Sequence, residues 1–170
     1  MPHHCSGQQK PITTIPKETL VAPFRINSYE ESAPRKNFEI RCNACLEDYV
    51  VQLEKWILNY VYVHCERLLK KSVTHTQLKE MYKSPLHRKE GFLPLLKTKV
   101  NTSGNHAVRF WDSKGEITTE PLEWKTTAII PNLHIKSLWV MSGNFGVVIE
   151  TTDVQVFPEE INCPFAAFEN

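Results

Sequence analysis

Arg109 and Trp111 stand two residues apart in the stretch VRFWDSKGE, residues 108–116, and together they could bind a polyanion. On a β-strand, residues two apart share a face, so these side chains would point one way and Phe110 would point to the core. A cation can neutralise a phosphate while a flat ring stacks on a base, at about 1–3 kcal/mol per base and without reading the sequence. The stretch therefore indicates a surface that could hold single-stranded nucleic acid.

Lys97 and Lys99 have the same spacing in LLKTKVN, where their neighbours take the other face. Basic and aromatic residues remain interleaved through this half of the chain. The cations are Lys97, Lys99, Arg109, Lys114, Lys125 and Lys136, and the aromatic residues are Phe92, Phe110, Trp111, Trp124, Trp139 and Phe145. Aromatic residues on alternating strands are more often core, and lysines opposite them are more often simply solvated. Trp139 shares a face with Ile135 and is predicted to lie in the core.

The sequence contains none of the common catalytic motifs. It has no glycine-rich phosphate loop, no H-E-x-x-H, no G-x-S-x-G and no Asp/Glu cluster of the kind that holds two magnesium ions. Isolated carboxylates such as Asp112 and Glu150 are more simply turn and strand-edge residues. The sequence therefore predicts a protein that is not an enzyme and has no cofactor.

Cys42 and Cys45 form a C-x-x-C pair that could supply half of a zinc site, completed by His64, Cys65 or the HHC at residues 3–5. Zinc needs four converging ligands, and a second closely spaced pair in an ordered segment is missing. Buried thiols are therefore favoured over a metal site. The five cysteines are odd in number and scattered, which is typical of a reducing compartment.

The composition, 41% hydrophobic and 23% charged over 170 residues, is that of one globular domain. No segment approaches the roughly 20 apolar residues of a membrane span, and the start lacks a secretory signal, so an intracellular protein without membrane contact is expected. The net charge of +1 divides unevenly, because residues 141–170 contain five carboxylates and no Lys or Arg. The mildly basic remainder permits a polyanion partner without requiring one.

Hydrophobic periodicity predicts a mainly β fold with an inserted helix. Residues 37–42 alternate as a strand, and a long helix follows with Asn43 as its N-cap and Lys70 and Lys71 at its end. Thr74 and Gln77 form the capping box of a short second helix that ends near Tyr82. The period then changes to two, with candidate strands at residues 95–101, 107–111, 116–119, 125–130, 134–140, 147–150 and 154–157. This order predicts a small antiparallel barrel or sandwich whose long helix follows the first strand.

The chain divides into three predicted parts. Residues 1–36 contain five prolines and no sustained periodicity, which indicates a proline-rich flexible arm with one short strand near residues 24–26. Residues 37–158 form the β-domain. Residues 159–170 form a short, mildly acidic tail.

The run from Lys36 to Phe157 resembles the single-stranded DNA-binding proteins of T7-like bacteriophages and their counterparts in large eukaryotic DNA viruses. The resemblance rests on the order of KNFEIRC, the long helix, YKSPLHRKEGFLPLLKTKVN, VRFWDSKGE and LHIKSLWVMSGNFGVVIETTDVQVF. It implies an OB-like antiparallel β-barrel that coats single-stranded DNA without sequence preference during replication, recombination or repair. The residues that it places in the DNA groove are Lys97, Lys99, Arg109, Trp111, Lys125 and Lys136.

The resemblance also implies partners and a setting. It implies a homodimer, an acidic tail that contacts replication proteins, and a viral replication site in the nucleus or cytoplasm of a host cell. The family's tail is long and densely acidic, whereas FPEEINCPFAAFEN has only three glutamates, so recruitment through the tail is less well supported here.

Two other functions remain open from the residues alone. The same surface could belong to a protein-interaction or virion-structural β-domain, which would bind a protein and no oligonucleotide. It could also belong to an RNA-binding accessory factor, because stacking platforms do not distinguish RNA from DNA.

Overall fold

The protein is described by a computed structural model for residues 13–28 and 30–158, a part of the chain that contains ten strands and three helices. In chain order the elements are β1 (Thr13–Thr14), β2 (Leu20–Val21), β3 (Arg35–Arg41), α1 (Ala44–Val63), α2 (Cys65–Leu69), α3 (His75–Met81), β4 (Tyr82–Lys83), β5 (Leu86–His87), β6 (Leu95–Asn101), β7 (Arg109–Trp111), β8 (Ile117–Thr118), β9 (Ala128–Met141) and β10 (Asn144–Phe157). The predicted mainly β fold with an inserted helix is confirmed.

Strands β3 and β6 form the centre of the fold. Their apolar residues alternate with polar ones, so one face of the pair is buried. The two strands pair antiparallel over seven residues each, from Arg35 opposite Asn101 to Arg41 opposite Leu95. The inward side chains are fully or almost fully buried, and they include Phe38, Ile40, Leu96 and Val100. The alternation predicted for residues 95–101 is confirmed in its bounds and in its faces.

Five strands form a closed circuit of hydrogen-bonded pairs. β9 pairs with β2, β2 with β3, β3 with β6, β6 with β10, and β10 again with β9. The expectation of a purely antiparallel sheet is wrong, since β10 runs parallel to β4, β6 and β7. A parallel pair needs a long crossover connection, and the segments that separate β10 from these strands are long enough to supply one.

Strands β9 and β10 form one long hairpin of 14 residues each, where the sequence predicts four shorter strands. Ser142 and Gly143 make the turn between them, both with positive φ, as two-residue hairpin turns require. The predicted break at Pro131 does not occur. The pairing changes register nearby, between Thr151 and Asp153, and a proline is tolerated in a strand beside such an irregularity.

Helix α1 begins where the sequence predicts, because the side-chain oxygen of Asn43 accepts a hydrogen bond of 2.9 Å from the backbone N–H of Leu46. Its buried residues are Leu46, Val50, Ile57 and Val61, which recur at helical spacing. The predicted single helix to Lys70 is interrupted at His64, whose ψ of 20° leaves the helical range, and α2 follows separately. Helix α3 has the predicted capping box.

The predicted flexible arm is partly built into the fold. Residues 1–12 lie outside the described residues, as do those of the predicted tail, 159–170. The remainder contains β1 and β2, whereas the short strand expected near residues 24–26 does not form. Leu20 and Ala22 are buried because β2 pairs with β3 and β9. The long helix therefore follows the third strand and not the first.

The hydroxyl of Thr98 joins three strands inside the core, since it bonds the Phe38 carbonyl at 3.0 Å and the Thr151 hydroxyl at 2.8 Å. We expect Thr98→Val to lower the free energy of unfolding by about 1–3 kcal/mol, because a buried hydroxyl loses its partner. Urea unfolding measures the change. The double variant Thr98→Val with Thr151→Val should lose less free energy of unfolding than the sum of the losses in the two single variants. Additive losses would contradict the coupling of the two hydroxyls.

Candidate nucleic-acid interface

Lys97 and Lys99 lie on the outer face of β6, as the sequence predicts, because the residues that alternate with them, Leu96, Thr98 and Val100, are buried. The ammonium of Lys99 donates a hydrogen bond of 2.6 Å to the side-chain oxygen of Asn37 on β3. Partial burial, followed by the nearby charges of Lys97 and Arg35, lowers the pKa of Lys99 from its usual value. Cations are therefore crowded on this face, which favours the binding of an anion.

Trp139 lies on the same outer face, so its predicted place in the core is wrong. Ile135 pairs with Ile149, but Ser137 pairs with Val148, which makes Lys136 an extra residue in β9. A bulge of one residue reverses which side chains face outward beyond it. Trp139 is consequently opposite Gly146, and it is half-buried.

The indole of Trp139 is positioned by the absence of a side chain at Gly146. A Cβ atom at that position would lie 2.8 Å from the indole ring and 2.8 Å from the carbonyl oxygen of Lys83. Strand β4 pairs with the start of β10 at this point, with Lys83 opposite Gly146. Glycine thus allows Trp139 and the backbone of β4 to approach the same short stretch of β10.

These elements enclose a cavity of about 310 Å³, which we call the central groove, between β6, β10 and the segment from β4 to β5. Its basic and aromatic lining residues are Lys83, His87, Lys97, Lys99 and Trp139. No carboxylate lines the central groove within the part of the chain that the structure describes. Lys83, His87 and Trp139 were not predicted as site residues from the sequence. The cation-rich run YKSPLHRK was a signal for the first two, but Trp139 is displaced by a bulge that has no local signal.

Arg109 and Trp111 share the outer face of β7, opposite Phe110, as predicted. Phe110 packs towards the core with its ring centroid 6.0 Å from that of Trp124. The guanidinium of Arg109 lies 5.6 Å from the Trp111 ring centroid. Both side chains donate to one oxygen of Asp153 on β10, Arg109 Nε at 2.7 Å and Trp111 Nε1 at 3.0 Å. This carboxylate fixes the pair and compensates the charge of Arg109.

The carboxyl of Asp153 is held in its charged form. Partial burial by itself would raise its pKa, but hydrogen bonds from Arg109, Trp111 and Thr152 outweigh that effect and lower the pKa below its usual value. The other Asp153 oxygen accepts a weaker hydrogen bond of 3.4 Å from Asn132. Asp153 is therefore a fixed negative charge beside the Arg109 and Trp111 pair.

The two remaining predicted residues lie apart from each other. Lys136 forms an ion pair of 3.4 Å with Glu150, a buried carboxylate that also accepts a hydrogen bond of 2.6 Å from Asn101. Glu150 lies directly opposite Lys99, so Lys136 lies near the central groove with its charge compensated. Lys125 is exposed in a different cavity. The structure thus brings together Lys97 and Lys99, places Arg109 with Trp111, and separates Lys125 from both pairs.

The cysteines do not converge with other metal-binding side chains. Within residues 13–28 and 30–158, no group of three or more His, Cys, Asp or Glu could hold a metal ion. Cys42 is buried, which together with the charge of Glu47 raises the pKa of its thiol to about 11, whereas Cys45 is exposed. In the same part of the chain, no helix is both long and apolar enough to cross a membrane.

No protein-family model matches the sequence, and no curated protein matches it. The fold, however, is that of single-stranded DNA-binding proteins of bacteriophages. The bacteriophage T7 protein gp2.5 matches over 86% of both chains with a TM-score of 0.57 and 11% identity. A C-terminal truncation of the single-stranded DNA-binding protein from bacteriophage Enc34 matches over 84% of both chains with a TM-score of 0.50 and 7% identity. The resemblance drawn from the sequence motifs is thereby confirmed at the level of the fold.

Substituting Gly146 should disturb the position of Trp139. We expect Gly146→Ala to lower the free energy of unfolding by about 1–3 kcal/mol and to shift tryptophan emission, because the new methyl group overlaps the indole and the Lys83 carbonyl. Urea unfolding and emission spectra measure both effects. The emission shift should disappear in a Trp139→Phe background. An unchanged spectrum in the original background would show that Trp139 does not rest on Gly146.

Asp153 should make the free energy of unfolding depend on pH. Because folding lowers its pKa, the stability it contributes is complete above the unfolded pKa of about 3.9 and is lost as pH falls through the folded pKa. We expect Asp153→Asn to be less stable than the wild type at neutral pH and to lose less stability between roughly pH 5 and pH 3. Urea unfolding across this range measures the difference, with Asp48→Asn, at an exposed position of α1, as the matched control. Parallel pH profiles for the wild type and Asp153→Asn would contradict the assignment.

Proposed function

We propose that this protein binds single-stranded DNA without sequence preference and has no catalytic activity. The observation that carries the proposal is the central groove, which is lined by Lys83, Lys97, Lys99 and Trp139 and by no carboxylate of the described residues. A polyanion with flat apolar bases has the chemistry that this combination accepts. The fold shared with gp2.5 of bacteriophage T7 and with the single-stranded DNA-binding protein of bacteriophage Enc34, which both bind single-stranded DNA, supports the same function.

Affinity in this proposal comes mainly from phosphate neutralisation. Lys97 and Lys99 stand about 7 Å apart along β6, roughly twice the 3.4 Å spacing of nucleotides in a stacked strand, so they would contact phosphates of alternate nucleotides. The half-buried Trp139 ring provides a stacking surface beside them. Neither kind of contact reads base edges, so the binding is independent of sequence.

The other predicted residues take flanking roles. Arg109 and Trp111 form a second basic and aromatic pair, but Arg109 is ion-paired with Asp153, whereas Lys97 lies opposite Glu39 without an ion pair among the described residues, so a phosphate gains less at Arg109. Lys136 is limited in the same way by Glu150. Lys125 is exposed, and in this proposal it contacts the strand further along its path. We therefore rank the central groove above the VRFWDSKGE surface as the main binding site.

The closed circuit of β2, β3, β6, β10 and β9 supports an OB-like barrel as the scaffold of the binding domain. Because β1 and β2 are built into the sheet, we propose that the binding domain begins before residue 37, near residue 13. The role we propose is to coat DNA during replication, recombination or repair, at a viral replication site inside the host cell.

Removing the two β6 cations should weaken DNA binding in a salt-dependent manner. We expect Lys97→Ala with Lys99→Ala to lower the slope of log affinity against log salt by about 1.4, since each phosphate contact to a single strand contributes about 0.7. Tryptophan quenching by a thymidine oligonucleotide of about 30 nucleotides, titrated between roughly 50 and 300 mM salt, measures the slope.

Lys17→Ala with Lys71→Ala removes the same charge from exposed positions outside the central groove and should leave the slope near that of the wild type. If both pairs of substitutions lowered the slope equally, the binding would depend on total charge and not on the central groove, which would contradict the proposed site. A wild type that binds no oligonucleotide at either salt would contradict it, and would favour the protein-interaction or virion-structural β-domain. Tighter binding of RNA than of DNA of equal length would favour the RNA-binding accessory factor.

A further inference from the structure

A second cavity of about 630 Å³ adjoins the central groove and presents two exposed aromatic rings. Phe92 is 67% exposed and Phe24 is 50% exposed, so neither ring contributes much to the core. We call this cavity the lateral cleft, and define it by Phe24, Arg41, His87, Lys89, Phe92 and Lys125. His87 lines both cavities, so the lateral cleft and the central groove are neighbours on the surface with this residue between them.

The Phe92 ring is displayed by an ordered turn. The backbone N–H of Phe92 donates a hydrogen bond of 3.1 Å to the carbonyl of Lys89, and Gly91 between them has a φ of 78°, which favours glycine. Lys89 Nζ lies 5.1 Å from the centroid of the Phe92 ring. On the N-terminal side of the turn, an ion pair between Arg88 and Glu47 attaches the turn to α1. The ring and the cation are therefore presented together by a hydrogen-bonded turn that is attached to α1.

The charge of the lateral cleft selects for an anion. Arg41, Lys89 and Lys125 line it together with His87, and none of its lining residues within the described part of the chain is a carboxylate. Arg88 also lines it but is compensated by Glu47. An apolar peptide or a neutral small molecule would satisfy the rings and leave these cations without partners. A nucleic-acid strand satisfies both, because its bases stack and its phosphates are charged.

We propose that the lateral cleft is a second base-stacking subsite that continues the path of the same DNA strand from the central groove past His87. Bases stack on Phe92 and Phe24, and Arg41, Lys89 and Lys125 contact the phosphates. This subsite rests on the proposed function of the central groove.

The dimensions of the sheet set the length of this path. From Lys99 to Leu95 the strand β6 covers about 13 Å, and the step from β6 across β3 to β2 adds about 10 Å. A path of roughly 20 Å corresponds to about six nucleotides at 3.4 Å each, within the range of about 4 to 16 nucleotides that one OB-fold occupies. The central groove alone covers about four, so an oligonucleotide of about six or more nucleotides can gain further contacts in the lateral cleft.

The test compares Phe24→Ala with Phe92→Ala, in one variant, against Trp56→Ala. Trp56 is 59% exposed on α1 and lines neither cavity, so it controls for the loss of an exposed aromatic residue. Fluorescence anisotropy with a labelled thymidine 12-mer at about 50 mM salt measures affinity. We expect the double variant to bind roughly tenfold or more weakly and the Trp56 variant to bind as the wild type does.

Photo-crosslinking with an iododeoxyuridine 12-mer gives an independent reading, with crosslinked peptides expected to contain Phe92 or Phe24. If the double variant binds as tightly as the wild type and crosslinks avoid these residues, the lateral cleft is not a subsite, although the proposed function stands. If the wild type does not bind the 12-mer, the subsite and the proposed function are both contradicted. If Trp56→Ala weakens binding as much as the double variant does, the cleft has no special role. If circular dichroism shows that the double variant is not folded, Phe92→Leu replaces it. This variant keeps an apolar side chain without the ring, and its affinity for the 12-mer tests the same subsite.

Discussion

The strict alternation of β6 between its two neighbours is the constraint on which the core and the candidate site both depend. Its pairing with β3 fixes the register along its whole length, and its pairing with β10 fixes it again at Lys99. With Leu96, Thr98 and Val100 inside, Lys97 and Lys99 have to emerge outside. A slip of one residue would bury two ammonium groups and expose the apolar residues, a change whose cost far exceeds the stability of a small domain. The same register therefore buries the core and presents the cations.

The long β9–β10 hairpin adds what β6 cannot supply. Its two register shifts are local departures from regular pairing, and each changes which side chains reach the outer face. The shift at Lys136 brings Trp139 to the face of Lys99, and the shift between Thr151 and Asp153 places Asp153 where it meets β7. An aromatic ring and a carboxylate thus reach the surface from a strand pair whose regular alternation would have directed them elsewhere.

The distribution of carboxylates distinguishes the regions of this surface. Asp153 compensates Arg109, and Glu150 compensates Lys136, whereas the central groove has cations from β4 and β6 with no described carboxylate in its lining. A formal net charge of +1 therefore conceals a locally positive groove. Because long-range attraction to a polyanion depends on such local fields more than on the total charge, near-neutral composition is compatible with DNA binding. This charge distribution restricts the proposed binding surface to one side of the sheet.

What the sequence determined by itself were features that depend on neighbours a few residues away. The Asn43 and Thr74 caps, the alternation of residues 95–101 and the opposite faces of Arg109 and Phe110 were all predicted, because helix ends and strand faces follow from local spacing. Tertiary structure alone decided the parallel pairs of β10, the continuity of β9 through Pro131 and the exposure of Trp139. These depend on which strand lies alongside, and a bulge exists only relative to its partner strand. The order of motifs along the chain was enough to indicate the fold class, whereas the central groove required side chains from β4, β5, β6 and β9 that only the folded chain brings together.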